Sequence, residues 1–240
     1  DAHWSNREVN QPFFSVFNFD VTHESKMWLH RDKPLTVDPK KVPLPPYFPD
    51  TETVRNDVAR NYSNIELLDH MVGELILELK ADNLFDNTYI FFFSDHGGPL
   101  PRGKRSHFES GLKVPLIIRD PYVKSKIFVE EPVSFVDFAP TILSLAGISI
   151  PEHFQGIPFL GDKKSENPRD YIFGSGDRFD ETYDRVRSVI SDEFIYVKNY
   201  HTDRPAYKDV LYRKNIDMTN EMLMLYNENK LNSDQKYWYR

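Results

Sequence analysis

Asp95 and His96 stand side by side after an unbroken apolar run, TYIFFF (88–93), and two glycines follow them directly. Carboxylate and imidazole are both metal ligands, and glycine, lacking a Cβ, lets backbone pass close to a bound group. Lys104, in Gly103-Lys104-Arg105, adds a compact ammonium that can sit on an anionic oxygen. His23 lies just beyond a second apolar run, PFFSVFNF (12–19), and offers an imidazole for proton transfer. Taken singly, such residues are most often a polar turn, a solvated surface charge and a loop histidine without a role. Ligands of open α/β sheets gather beyond the carboxyl ends of the strands, where all of these fall. Together they point to a metal-bound anion site with a histidine available for proton transfer.

The elements that must position these residues are legible from periodicity. The run at 12–19 is bounded by proline and Asp20 and reads as a buried strand. KPLTVDPKKVPLPPYFP (33–49) holds six prolines and must be an extended surface excursion. From Asp57 to Lys80, apolar residues at steps of three and four, beginning Val58, Tyr62, Ile65 and Leu68, predict an amphipathic helix. TYIFFF reads as a central strand buried on both faces, with VPLIIR (114–119) as its neighbour. VDFAPTILSLAGI (136–148) reads as a helix stopped by Gly147. The expected class is therefore α/β, a mostly parallel central sheet flanked by helices. Past Gly161 the texture changes to short strands in DYIFGS, RVRSVIS and EFIYVKNY, then a helix near 220–230. That predicts a smaller C-terminal α+β subdomain, begun but incomplete, with domains at 1–160 and 161–240.

Composition narrows the function. The 240 residues carry 30 basic and 37 acidic side chains, a net charge of −7, which argues against nucleic acid as a partner. No apolar run approaches the roughly 18 residues that span a bilayer, so no membrane partner is expected. There is no cysteine, which excludes disulfides and leaves the compartment open.

The stretch SDHGGPLPRGKRSHFESGLKVPLIIRDP (94–121) closely resembles the second signature region of the type I sulfatases, within the alkaline-phosphatase superfamily. The shared features are Asp95-His96-Gly97, Gly103-Lys104, Glu109, and Gly111 followed by Val114-Pro115-Leu116-Ile117. FNFDVTHES resembles the family's upstream strand and histidine, and VSFVDFAPTILSLAGI its D-x-x-P-T-x-L helix. The likeness covers residues 12 to 160, and DRFDETYDRVRSV (177–189) resembles some carbohydrate sulfatases. The resemblance implies that Asp95 and His96 bind a divalent cation, Ca2+ in this family. It implies that Lys104 holds a sulfate oxygen and that His23 assists departure of the leaving group. Glu109 would brace the loop carrying Lys104. A periplasmic or secreted location follows from the same resemblance.

The family's nucleophile is a formylglycine made within a Cys/Ser-x-Pro-x-Arg motif, and no such motif occurs here. The paired N-terminal aspartates that complete the metal site have no counterpart before residue 12, Asp1 included. Half an active site is thus expected, in a chain that needs the missing N-terminal portion of the same enzyme and is inactive alone. The alternatives are a phosphoester or phosphonate hydrolase of the superfamily and a non-catalytic glycan- or anion-binding relative. For the former, Asp20 and His23 could be a second metal pair, with His107 and His153 as later histidines. The substrate expected is a sulfated carbohydrate, contacted by Arg178 and Glu181 within the charged burst at 177–187.

Overall fold

The computed structural model describes residues 3–240, so Asp1 lies outside the described residues. In chain order the helices and strands are α1 (Lys26–Leu29), α2 (Glu52–Ala81), β1 (Ile90–Phe93), α3 (Glu109–Leu112), β2 (Leu116–Arg119) and α4 (Phe138–Leu145). They continue with β3 (Ile172–Phe179), β4 (Thr182–Ile190), β5 (Ile195–Asn199), α5 (Asp217–Asn227) and α6 (Ser233–Lys236). Two compact units form. One comprises the chain up to Asn83 with Gly98–Pro101 and Tyr212–Gln235; the other comprises Leu84–Gly97, Arg102–Leu211 and Lys236–Arg240.

The first unit is helical. Thr51 caps α2, its Oγ1 accepting from the Val54 amide at 3.2 Å and donating to Glu221 Oε2 at 2.7 Å. Asp57 reaches the start of α5, where Oδ2 accepts from the Met218 amide at 2.7 Å. Between the helices Val54, Val58, Met218 and Met222 are buried. The proline-rich excursion is held as its chemistry requires. Its carbonyls lack ladder partners, and the Arg60 guanidinium donates to those of Arg31, Lys33 and Pro34. Ser63 Oγ accepts from the amides of Thr36 and Val37.

Two expectations for this unit are revised. The helix begins five residues earlier than its apolar periodicity, at the Thr51 cap. Its buried N-terminal half uses Arg60, Ser63 and Asn64, whereas Tyr62 and Ile65 of the apolar stripe are exposed. The run at 12–19, expected as a buried strand, forms none among the described residues: it pairs with no other segment, and Phe14 and Val16 are exposed. A strand exists through its neighbour's hydrogen bonds, and an apolar sequence alone does not supply them.

In the second unit β1 and β2 pair antiparallel in the register Ile90↔Arg119 to Phe93↔Leu116. No parallel pair occurs among the described residues, so the parallel sheet expected from the sequence is represented here by this one antiparallel ribbon. One face of β1 carries Phe91 and Phe93 onto Phe138 of α4, with ring centroids 6.1 and 4.8 Å apart. α4 ends as expected, with Gly147 at φ +68° just past its C-cap. Asp137, 2% exposed, anchors the entrance to α4. It accepts from the Ser134 and Ile157 amides at 2.9 and 2.7 Å and receives a forked pair of bonds from Arg169. β3, β4 and β5 form an antiparallel meander, matching the three short strands expected. No helix among the described residues is long and apolar enough to cross a membrane.

Candidate active site

β1 delivers Ser94, Asp95, His96 and Gly97 to one end of the ribbon. Ser94 Oγ donates to the His96 carbonyl at 2.6 Å and tightens the turn. His96 Nδ1 lies 2.8 Å from the Gly97 carbonyl, an acceptor, so Nδ1 carries the proton and Nε2 keeps its lone pair. Nε2 sits 3.6 Å from Asp95 Oδ2. An unprotonated ring nitrogen and a carboxylate oxygen thus lie close together, two donor types that suit a divalent cation. Among the described residues no group of three His, Asp or Glu side chains converges as a metal cluster, so this pair could offer a cation no more than part of its ligand set.

Glycine decides how the turn meets the next loop. Gly97 donates to the Gly111 carbonyl at 3.0 Å, and a Cβ at Gly97 would lie 2.1 Å from the Ser110 oxygen. A Cβ at Gly111 would meet the carbonyls of Ser106 and Gly103 at 2.3 and 2.6 Å. Only glycine permits either approach. The turn holding Asp95 and His96 is therefore packed directly on the loop that carries Lys104.

Lys104 is half-buried and flanked by Arg102 and Arg105, both in the left-handed region at φ +65° and +68°. Such backbone costs on the order of 1 kcal/mol per residue and persists only where the surroundings hold it. Here Ser110 Oγ donates to the Arg102 carbonyl at 2.6 Å, and the Arg102 guanidinium lies 4.3 Å from the Phe108 ring centre. Arg105 Nε donates to Asp180. Glu109, expected to brace this loop, does not do so through its carboxylate, which is exposed and pairs with Lys113 at 3.1 Å.

His23 belongs to the first unit, on the turn between Asp20 and α1, and is exposed. The Ser25 amide donates to its Nδ1 at 3.2 Å, so the neutral ring carries its proton on Nε2. In that tautomer Nε2–H can offer a hydrogen bond to an acceptor, whereas proton transfer would need the doubly protonated ring. Asp20 is bound by Lys26 at 2.9 Å, and that hydrogen bond holds its carboxyl below the usual range. A carboxylate so committed gives no support to the pairing of Asp20 with His23 as a second metal site. Of the later histidines, His107 is half-buried with Nδ1 3.2 Å from Ser188 Oγ, and burial pushes its pKa down.

The charged burst on β3 and β4 is mostly consumed internally. Arg178 Nε donates to the Asp180 carbonyl at 2.9 Å, and Glu181 Oε1 accepts from the Leu211 amide at 2.7 Å. Asp177 pairs with Arg187 at 2.8 Å, and buried Asp184 with buried Lys208 at 2.9 Å. Sequence reasoning missed the tie between Asp180 and Arg105. The adjacency of Arg105 to Lys104 was its only signal.

The family model described as Sulfatase matches residues 2–148, and that described as N-sulphoglucosamine sulphohydrolase, C-terminal, matches residues 102–236. The chain is 40% identical to the ulvan-active sulfatase of Formosa agariphila over its whole length, covering 46% of that protein. It is 30% identical to human N-sulphoglucosamine sulphohydrolase over 72% of this chain and 37% of that one. It thus spans less than half the length of these relatives. Two solved structures share the fold. One is the phosphonate monoester hydrolase of Silicibacter pomeroyi, with TM-score 0.54, 21% identity, and coverage of 83% of this chain and 53% of that one. The other is a protein in complex with its substrate D-glucosamine-2-N, 6-O-disulfate, with TM-score 0.50, 24% identity, and coverage of 64% and 34%. The incomplete α/β domain, the Asp-His turn and the lysine loop locked beneath it are thus matched by family models that together cover nearly the whole sequence, and the chain belongs to the sulfatase family of the alkaline-phosphatase superfamily.

Proposed function

We infer that the chain is the later part of an enzyme that hydrolyses sulfate esters on a sulfated glycan. The observation that carries this reading is the lock of Gly97 onto the Ser110–Gly111 backbone, which joins the Asp95–His96 pair to the Lys104 loop. The names of two curated relatives, on ulvan and on N-sulphoglucosamine, support a carbohydrate substrate.

Asp95 and His96 would hold a divalent cation, which when bound withdraws charge from the sulfate oxygens. Calcium is the cation the family resemblance implies, with the remaining ligands and the formylglycine nucleophile lying outside these residues. Lys104 places an ammonium on a sulfate oxygen and offsets charge that builds there in the transition state. His23, as the imidazolium, would give its Nε2 proton to the ester oxygen as the alcohol departs and be left as the neutral ring whose Nδ1 accepts from the Ser25 amide. Arg178 and Glu181 stand at the β3–β4 turn, as sugar-contacting residues or as supports of those that are. On this reading residues 1–160 belong to the catalytic domain and residues 161–240 begin the substrate-shaping subdomain. A secreted or periplasmic enzyme is the setting in which a polymeric sulfated glycan is met.

The test is inorganic sulfate release from ulvan and from a sulfated glucosamine by the full-length protein. Release that falls at least a hundredfold in Lys104→Ala, with folding intact, is expected. Release by the 240-residue chain alone, or none by the full-length protein from any sulfate ester, overturns the reading.

A further inference from the structure

The outward face of the β3–β4–β5 sheet carries a pattern the cleavage chemistry does not use. Side chains alternate across a strand, and the inward set on β4, Asp184, Val186 and Ser188, is buried. The outward set is Tyr183, Arg185 and Arg187. Register carries the alternation across the sheet: Arg187 stands opposite Ser175 and Lys198, and Val189 opposite Phe173 and Tyr196. The rings are open to solvent, with Phe173 73%, Tyr183 66% and Tyr196 64% exposed. Cations lie on rings: Arg185 and Lys198 sit 4.7 and 4.9 Å from the Tyr200 centroid, and Arg178 sits 5.6 Å from that of Tyr183.

A solvated sheet face is ordinarily polar, and exposed aromatic clusters mark interaction surfaces. The charge is also against the trend of the molecule. On a chain of net charge −7, this face presents four cations, Arg178, Arg185, Arg187 and Lys198, and one carboxylate, Asp177, bound to Arg187. Flat rings with interleaved guanidinium and ammonium groups match a chain of sugar rings bearing sulfates. The rings offer planar apolar contact, and the cations bind tetrahedral oxyanions.

We propose that the outer face of the β3–β4–β5 sheet, through Arg185, Lys198, Tyr183 and Tyr196, is a docking surface for a sulfated polysaccharide chain, extending outward from the candidate sugar contact Arg178 and using none of Asp95, His96, Lys104 and His23. The surface holds the polymer beyond the residue being desulfated and raises its local concentration at the site. This rests on the sulfatase reading for its occupant, but its test does not.

Binding of the full-length protein to immobilised dextran sulfate, with neutral dextran as control, reads the surface directly. The double variant Arg185→Ser/Lys198→Ser is expected to bind dextran sulfate about tenfold more weakly and with a shallower salt dependence. Tyr183→Ser/Tyr196→Ser is expected to weaken binding without changing the salt dependence. Turnover of a small sulfate ester stays at the parent level in both, while KM for ulvan rises. Dextran sulfate binding equal to the parent in both variants overturns the proposal. So does a changed oligomeric state with unchanged binding, which assigns the face to a second copy. A parent that binds dextran sulfate through these residues yet cleaves no sulfate ester sinks the catalytic reading and leaves the surface standing.

Discussion

Arg105 donates its Nε to the carboxylate of Asp180, so the residue after Lys104 is tied to the turn between β3 and β4. Asp180 is itself in the left-handed region at φ +51°, and its carbonyl accepts from Arg178. Two strained loops, one bearing Lys104 and one bearing the candidate sugar contacts, hold each other through one ion pair. The Arg105 side chain is almost fully buried and that of Asp180 partly exposed. Position, more than free energy, is what such a pair supplies.

Asp180→Asn should therefore act on catalysis more than on stability. In the full-length enzyme kcat/KM for a sulfate ester is expected to fall about tenfold, because a misplaced cationic clamp loses transition-state contact. The accompanying loss of stability should stay within about 1 kcal/mol, as for other partly exposed pairs. Amide exchange in the 102–106 loop should quicken in the variant. Unchanged exchange there with lowered activity would reassign Asp180 to substrate contact.

Metal affinity tests the Asp95–His96 pair without reference to turnover. Calcium should raise the melting temperature of the full-length protein, and Asp95→Ala should remove most of that rise. His96→Gln keeps a side-chain acceptor in place of Nε2 and should retain part of it. A rise identical in parent and Asp95→Ala would exclude the pair as ligands.

Glycine at 97 is a packing requirement. Gly97→Ala drives a methyl group into the Ser110 carbonyl at 2.1 Å and should destabilise by about 1–3 kcal/mol. Gly98 has open space around its missing Cβ, so Gly98→Ala should be near neutral or mildly stabilising through the unfolded chain. Equal melting temperatures for the two variants would mean that the 94–97 turn does not pack on the 106–111 loop.

Much of this was legible before any coordinates. The steps of three and four in α2, the Gly147 stop of α4 and the three short strands after Gly161 all carry local signals, and all are present. The Asp-His-Gly-Gly turn was legible because a strand end leaves no other place for those side chains. What could not be read was set by partners distant in sequence. The run at 12–19 has the composition of a strand but finds no ladder, and the α2 stripe at Tyr62 and Ile65 finds no cover among the described residues. Arg178, Glu181 and Asp180 read as a substrate-facing burst, yet a backbone carbonyl, the Leu211 amide and Arg105 occupy them. Charge composition announces that ion pairs will form, and only tertiary structure says which.

Two carboxylates give opposite pH signatures. Burial raises the Asp137 carboxyl, but the Arg169 hydrogen bonds and the Ile157 and Ser134 amides outweigh it, and the net pKa lies below the usual value. Its stabilising contribution is complete above the unfolded pKa near 4 and disappears as pH falls through the lower folded value. Asp57 runs the other way: burial dominates the Met218 amide bond and pushes it up to about 6. The folded state then binds the proton more tightly than the unfolded state, so stability falls as pH rises from about 4 to 6 and stays lower above that. A shift of this size corresponds to on the order of 2–3 kcal/mol. Asp57→Asn keeps an acceptor for the Met218 amide without the charge, and should stabilise at pH 7.5 by about that much while gaining little at pH 4. Asp137→Asn should do the reverse, costing about 3 kcal/mol at pH 7.5 by removing the buried charge that the Arg169 guanidinium and two backbone amides bind, with a smaller cost near pH 3. Denaturant midpoints of parent and variants across pH 3 to 8 decide both, and an Asp57→Asn difference that does not grow between pH 4 and 7 removes the buried-carboxyl account.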